Sequence, residues 1–476
     1  MIKNKDKHHL DPIGALNDAS YSGFHRNVTI IASMGAFSDA FVITVLGAST
    51  FSIVPYLLHT TSNLAFTASL IFIGAVVGLF SMGTVVDKIG RRLMFILTLA
   101  LVFIFSLLSA FVNTSLELNI LRFLLGFATG ADYPAAMALL SEFLPTKRRG
   151  RGMAYMWGSW VVGAASGFLL GYFLYTIIGP TPYEWRIMLG SAAIPAFIGM
   201  IMRTSLPESP RWAIERGKYD IAGKSIKRAT GLDFTTGDLE GVRTKYFANE
   251  KVNLKNHHLD YLILILPVVA GVFCFNLVTG ALSTLTPTIL SSLGIAKATS
   301  YLYATITLAA QFVGVMIVAF FVEKVGRMRI AVIGGVLEGV MALLVTVLFH
   351  NPYALLGLFM GLYIFAFMAV PVLRTAGSEL FPTEFRGFSS GVVMAGDRFA
   401  SVAGLLITPI LFVNKNVVLL FSVYGVIGIA GAIIAFIGLR KKKIDRKSLE
   451  DIQLQILGEK GMSSDHVVEK TEYLPK

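Results

Sequence analysis
Twelve apolar runs divide this chain, and a run of roughly 20 apolar residues is what an α-helix needs to cross the hydrocarbon of a bilayer. They lie near 28–56, 64–86, 93–113, 117–141, 151–176, 186–206, 260–290, 299–322, 329–349, 353–379, 387–412 and 416–439. Inside lipid every backbone N–H and C=O must be satisfied within the protein, so runs of this length predict helices. The fold class expected is therefore an all-α membrane protein. Of the 476 residues, 55% are hydrophobic and 15% charged, against about a quarter charged in a soluble domain.

The charge pattern orients the chain. A formal net charge of +12 would suit a nucleic-acid binder, but the cations sit in short clusters between alternate runs. Lys88, Arg91 and Arg92 form one cluster, and Lys147, Arg148, Arg149 and Arg151 a second. Lys324, Arg327 and Arg329 form a third, and Arg440 with Lys441, Lys442 and Lys443 a fourth. The intervening loops NTSLELN, GPTPYEW and HNPYA hold almost none. Loops rich in Lys and Arg stay in the cytoplasm, which predicts cytoplasmic termini on a multi-pass cell-membrane protein. Residues 1–26 are polar and lack the apolar core of a secretory signal, so the first run is expected to remain in the membrane. Cys274 is the single cysteine, which excludes an intrachain disulfide.

A polar stretch at 207–259 separates two halves, 27–206 and 260–439, with a charged tail at 440–476. Loops recur between the halves. SEFLPTKRRG (141–150) returns as SELFPTEFRG (378–387), and DKIGRR (87–92) as EKVGRM (323–328), at nearly the same offset. Equivalent loops in two half-chains imply a duplicated six-helix unit, a pattern of secondary transporters.

At these motifs the chain resembles the major facilitator superfamily. Gly83, Asp87, Lys88, Gly90, Arg91 and Arg92 match its signature between the second and third spans, with Lys in place of the first Arg. Arg122, Gly126, Gly130, Asp132, Tyr133 and Pro134 resemble span 4 of its sugar, phosphate and organic-acid symporter branch, as do Trp185, Arg186 and LPESPRW (206–212). The resemblance implies two pseudo-symmetric six-helix bundles, alternating access, no cofactor, and a monomer in the lipid bilayer that handles protons and a small molecule. Sugar porters usually carry a Gln pair and a Tyr pair in span 7. Here Asn276 is the one candidate amide in that stretch, and Tyr155, Trp157 and Trp160 stand in span 5 where a Gln is usual. The expected function is proton-coupled symport of a small organic solute: an organic anion such as a sugar acid, carboxylate or aromatic acid, or phosphate. A sugar:proton symporter and a drug or metabolite proton antiporter remain open. The chain shows no Ser-His-Asp set, metal-ligand cluster or Walker loop, so no enzyme, metal site or ATP-driven pump is expected.

A charge at mid-membrane costs roughly 2.5–3.5 kcal/mol on insertion scales and calls for a partner or a role. Such charges are Asp39, Arg122, Asp132, Glu338, Arg374, Asp397 and Arg398. By the resemblance, Asp39 pairs with Arg122 when ionised and releases it when protonated. Depth counting makes Asp132 an equal neighbour of Asp39, and the phosphate branch has a functional acid at its position. The alternative is an acid that packs helices. Arg398 stands where that branch carries Lys, and a guanidinium can grip carboxylate or phosphate bidentately. Asp397 lies about 100° around the helix and is expected to face elsewhere. Trp157, Trp160 and Tyr155 would stack on a substrate or pack against lipid. Gln311 and Glu338 read as helix-interface residues. In the loops, Asp87 is placed to accept from a helix N-terminus beside Arg91. Glu142 with Arg149, Glu379 with Arg386, and the repeat residues Glu323 and Arg327 are expected to hold the halves together at the cytoplasmic face.

Overall fold
The computed structural model describes residues 11–247, 258–379 and 383–440. Among the described residues no strand occurs, and twelve helices are long and apolar enough to cross a membrane. Span 1 is Gly23–Ala48, span 2 Thr61–Ile89, span 3 Arg91–Ser109, span 4 Ser115–Phe143 and span 5 Arg149–Ile178. Span 6 is broken into Pro182–Ser191 and Ala193–Thr204. Span 7 is His258–Ser292, span 8 Lys297–Val325, span 9 Arg327–Leu348, span 10 Pro352–Glu379, span 11 Thr383–Leu411 and span 12 Val417–Arg440.

Packing repeats between the halves. Span 1 lies on span 5, 2 on 4, and 3 on 4 and 6; in the second half 7 lies on 11, 8 on 10, and 9 on 10 and 12. The halves meet through spans 5 and 8, 2 and 11, and 1 and 7. Without water to drive helices together, close approach supplies the attraction. Gly74 and Gly78 of span 2 and Gly126 and Gly130 of span 4 let those two backbones touch, since a Cβ at any of them would collide with the facing backbone. Gly90 and Gly326, the matching glycines of the repeated loops, share φ of 99° and 98° with extended ψ. Only glycine adopts that conformation readily, so one turn is written twice.

Two regions depart from the expected outline. Span 1 starts earlier than residue 28 and its α-helix ends at Ala48, followed by Thr50–Ile53 and a π-turn at Val54–Leu58. Pro55 lacks an N–H and cannot continue α-helical bonding. The wider turn closes with the His59 N–H donating to the Val54 carbonyl at 2.6 Å. Part of the polar N-terminal segment also folds. Asp11 caps the short helix Pro12–Asn17, whose Ile13 and Leu16 are buried with Trp212, Ile214, Ile226 and Leu239 of the linker helices Pro210–Glu215, Tyr219–Thr230 and Thr236–Phe247. The segment 1–26 is therefore not a plain polar lead, since part of it packs on the linker.

The described contacts of the Asp132 carboxylate are with Arg203 and Thr98, and none is with Asp39. Both its oxygens face Arg203 of span 6, one at 2.7 Å, and Thr98 of span 3 donates to it at 2.6 Å. The Arg203 guanidinium also donates to the Phe95 carbonyl and lies 3.5 Å from the Phe95 ring centroid. Gly35 of span 1 presses flat against the pair, where a Cβ would overlap both side chains. One buried ion pair thus ties spans 1, 3, 4 and 6. Removing one partner of such a pair strands a charge at about 3–5 kcal/mol. Arg203→Met is expected to cut the thermal stability of the purified protein sharply, and adding Asp132→Asn to restore part of it.

Candidate functional site
The central cavity lies where the halves meet. Asp39 and Ile43 of span 1, Phe72 of span 2, and Trp157 and Trp160 of span 5 form its first-half wall. The second-half wall comes from spans 7, 8, 10 and 11 and is more polar: Asn276, Thr279, Ser283, Gln311, Arg374, Asp397, Arg398 and Ser401, with Phe367 and Met394. The space is narrow. The cavity volume is about 40 Å³.

Two charge pairs occupy it. The Arg398 guanidinium donates to Asp39 Oδ2 at 3.3 Å, joining span 11 to span 1 across the interface between halves. Trp160 Nε1 approaches the same oxygen at 3.4 Å, and the Trp160 ring stacks on Phe367 at 6.0 Å. Arg374 donates to Asp397 Oδ1 at 2.5 Å and lies 4.7 Å from the Trp157 ring. Asn276 holds span 7 to span 11 by donating to the Asp397 carbonyl and to Ser401 Oγ, each at 2.9 Å. Two aspartates and two arginines leave these four side chains with no net charge.

Several expectations change here. Arg122 does not pair with Asp39. Its guanidinium donates to the Val42 carbonyl at 2.8 Å, because it sits nearly one turn beyond Asp39 along span 1. Asp397 and Arg398 both line the cavity, and each faces a different partner, as their angular separation on the helix requires. Tyr155 is 64% exposed and is not among the lining residues, whereas Trp157 and Trp160 are. Gln311, read from sequence as an interface residue, lines the cavity. Glu338 is buried within the second half, away from the cavity lining. Periodicity places Gln311 on a face of span 8, but which face meets the cavity depends on how span 8 leans on span 5.

The end remote from the termini is sealed. Phe51 N–H donates to Tyr301 Oη at 3.3 Å, and the two rings lie 5.0 Å apart. Tyr175 closes the cluster at 5.9 Å from Phe51 and 5.8 Å from Tyr301. Behind it, Ser52 donates to the buried carboxylate of Glu184. The seal joins the tip of span 1 and span 5 to span 8 of the other half.

At the opposite end the described charge contacts stay within the first half and linker. Arg91 pairs with Glu142, which also accepts from Ser209. Arg149 donates to Asn17 Oδ1 at 2.6 Å and to the Leu144 carbonyl at 3.1 Å. Glu208 accepts the N–H groups of Arg91 and Arg92 at 2.9 and 3.0 Å and so caps span 3, a bond the sequence reading had offered to Asp87. The expected tie between halves through Glu142 and Arg149 is thus absent from their described contacts. The side chains of Asp87, Glu323, Arg327, Glu379 and Arg386 lie outside the described residues.

Comparison with known proteins follows the same outline. A family model described as sugar (and other) transporter matches residues 22–454. The metabolite transport protein YaaU of Escherichia coli (strain K12) is 27% identical over 419 residues, covering 85% of this chain and 89% of the relative. The glucose transporter GlcP of Staphylococcus epidermidis is 28% identical, covering 83% and 89%. The xylose transporter XylE of E. coli, in a partially occluded inward-open conformation, superposes with a TM-score of 0.74 at 19% identity, covering 90% and 99%.

Because Phe51 and Tyr301 meet from opposite halves, a thiol cross-linker should lock them. In a Cys274→Ala background carrying Phe51→Cys and Tyr301→Cys, cross-linking is expected to stop uptake into proteoliposomes, and cleaving a reducible linker to restore it.

Proposed function
The chain belongs to the sugar (and other) transporter family of the major facilitator superfamily, and from that premise we propose that it is a proton-coupled symporter of a small organic anion. The observation that carries this reading is the Asp39–Arg398 pair, which spans the two halves inside the cavity. While Asp39 is ionised it occupies the guanidinium and ties span 1 to span 11. Protonation removes its charge and frees Arg398, which can then accept a carboxylate or phosphate oxygen pair. A proton and a monoanion together restore neutrality, so the loaded cavity can be closed and reopened without an unpaired charge.

The halves then rock about the cavity, exchanging the Phe51–Tyr175–Tyr301 seal for closure at the basic end. The Lys and Arg clusters favour a cytoplasmic position for that basic end and both termini. On this reading Trp157, Trp160 and Phe72 supply the stacking face, and the Arg374 guanidinium of the neutral Arg374–Asp397 pair lies against Trp157. A second reading, sugar:proton symport, is favoured by the similarity to the glucose transporter GlcP.

Reconstitution in liposomes separates the two. For one proton per monoanion, accumulation should reach about tenfold per unit of imposed pH gradient and be insensitive to membrane potential. A neutral sugar carried with a proton would respond to both. Labelled monocarboxylates, phosphate and glucose are to be compared, and uptake unaffected by a protonophore would sink proton coupling. Asp39→Asn is expected to abolish pH-driven accumulation while sparing exchange of internal for external substrate. Should that variant still concentrate substrate against its gradient, Asp39 is not the coupling acid.

A further inference from the structure
Glu184 stands behind the seal with little to support a charge. It is fully buried in the first turn of the helix Pro182–Ser191. One of its oxygens meets the Ser52 hydroxyl, and the other, Oε1, has no hydrogen-bond partner among the described residues. The cations of this region are engaged elsewhere. Arg186 on the same helix donates to the Ala110 and Val112 carbonyls and to Asn113 Oδ1. Lys297 of span 8 lies 5.4 Å from the Phe51 ring. The other titratable groups on the elements around Glu184 are Tyr183 of its own helix, Tyr172 and Tyr175 of span 5, Tyr301 of span 8, and His59 beyond the tip. The facing ends of spans 1 and 3 carry none.

The hydrogens available in the closed seal do not suffice for a carboxylate. Ser52 has a single hydroxyl hydrogen, and the Ser49 carbonyl lies 3.0 Å from the same Oγ. With Glu184 ionised, two acceptors compete for that hydrogen and Oε1 receives none. With Glu184 protonated, its hydrogen goes to Ser52 Oγ and the Ser52 hydrogen to the Ser49 carbonyl, so each donor has an acceptor. A buried charge without a partner neutralises instead. Opening reverses the balance. Ser52 follows Phe51 along the tip, so lifting the tip from Tyr301 withdraws Ser52 and admits water. The N-terminus of the Pro182–Ser191 helix then favours the anion.

We infer that Glu184 is a proton-binding site that works the seal: the Phe51–Tyr175–Tyr301 cluster closes over the neutral acid and opens onto the carboxylate. The proton comes from, and returns to, the solution on that side of the membrane. The site thus sets when the seal closes and carries no charge across. It is separate from Asp39 and independent of which solute the cavity takes. Because the closed form binds the proton more tightly, acid favours closure and rising pH favours opening.

The test reads the distance between the halves beside the seal. Spin labels go on Thr60→Cys and Ala296→Cys, both exposed, in full-length protein carrying Cys274→Ala. The ratio of closed to open populations is measured in lipid nanodiscs between about pH 5 and about pH 9. That ratio is expected to fall by about fivefold or more as pH rises, and to fall as much in Asp39→Asn. In Glu184→Gln, neutral throughout, it is expected to stay within about twofold. A ratio that ignores pH in the labelled parent overturns the inference, as does a fall that disappears in Asp39→Asn and so belongs to that acid. Neither result needs the Glu184 variant. A fall that survives in Glu184→Gln overturns it too, and points to another group such as His59, which every variant keeps.

Discussion
A charge placed in a bilayer has to be answered within a few ångströms, and this molecule is organised around three such answers. Asp132 with Arg203 fastens four helices of the first half. Arg374 with Asp397 sets the second-half wall of the cavity. Asp39 with Arg398 crosses between the halves. The first is packed against glycine and an aromatic ring and has nowhere to relax. The other two line the central cavity, where the proposed mechanism exchanges a partner. The same electrostatic rule thus builds the scaffold in one place and leaves a replaceable contact in another.

The fold was legible because its signals are long. A 20-residue apolar run, a basic loop and a duplicated decapeptide each survive errors of a few residues, and all point to the same two-bundle architecture. The π-turn at Val54–Leu58 was not legible as such, though Pro55 marks the place where α-helical bonding fails. The N-terminal helix was hidden by brevity, since six residues carry too little periodicity to stand out from a polar segment.

The site was half legible. Charged residues in apolar runs announced that partners exist, but counting along helices gives depth and not azimuth. Asp39 at its depth had Arg122 and Asp132 as neighbours on paper. Arg122 instead meets the Val42 carbonyl, and Asp132 is claimed by Arg203, whose position at the end of a broken span 6 no sequence period reveals. The partner Asp39 does have, Arg398, comes from the other half of the chain, 359 residues away. Pairing across the pseudo-symmetric interface is a property of assembly, and so is the turn of span 8 that brings Gln311 to the cavity when the sequence reads it as a helix-interface residue.

The jointed tip of span 1 has a mechanical corollary. Asp39 sits on the straight helix, while Phe51 and Ser52 ride beyond the break at Ser49. Phe51 lies twelve positions beyond Asp39, about 18 Å at 1.5 Å of helical rise per residue. On the mechanism proposed above, this break lets the tip peel from Tyr301 while the carboxylate stays on Arg398, and lets the carboxylate release while the tip stays shut. Two barriers that yield separately and in series behave as an airlock. In a proton-coupled carrier of the kind proposed, such an arrangement would keep the protein from leaking protons while its cargo is absent.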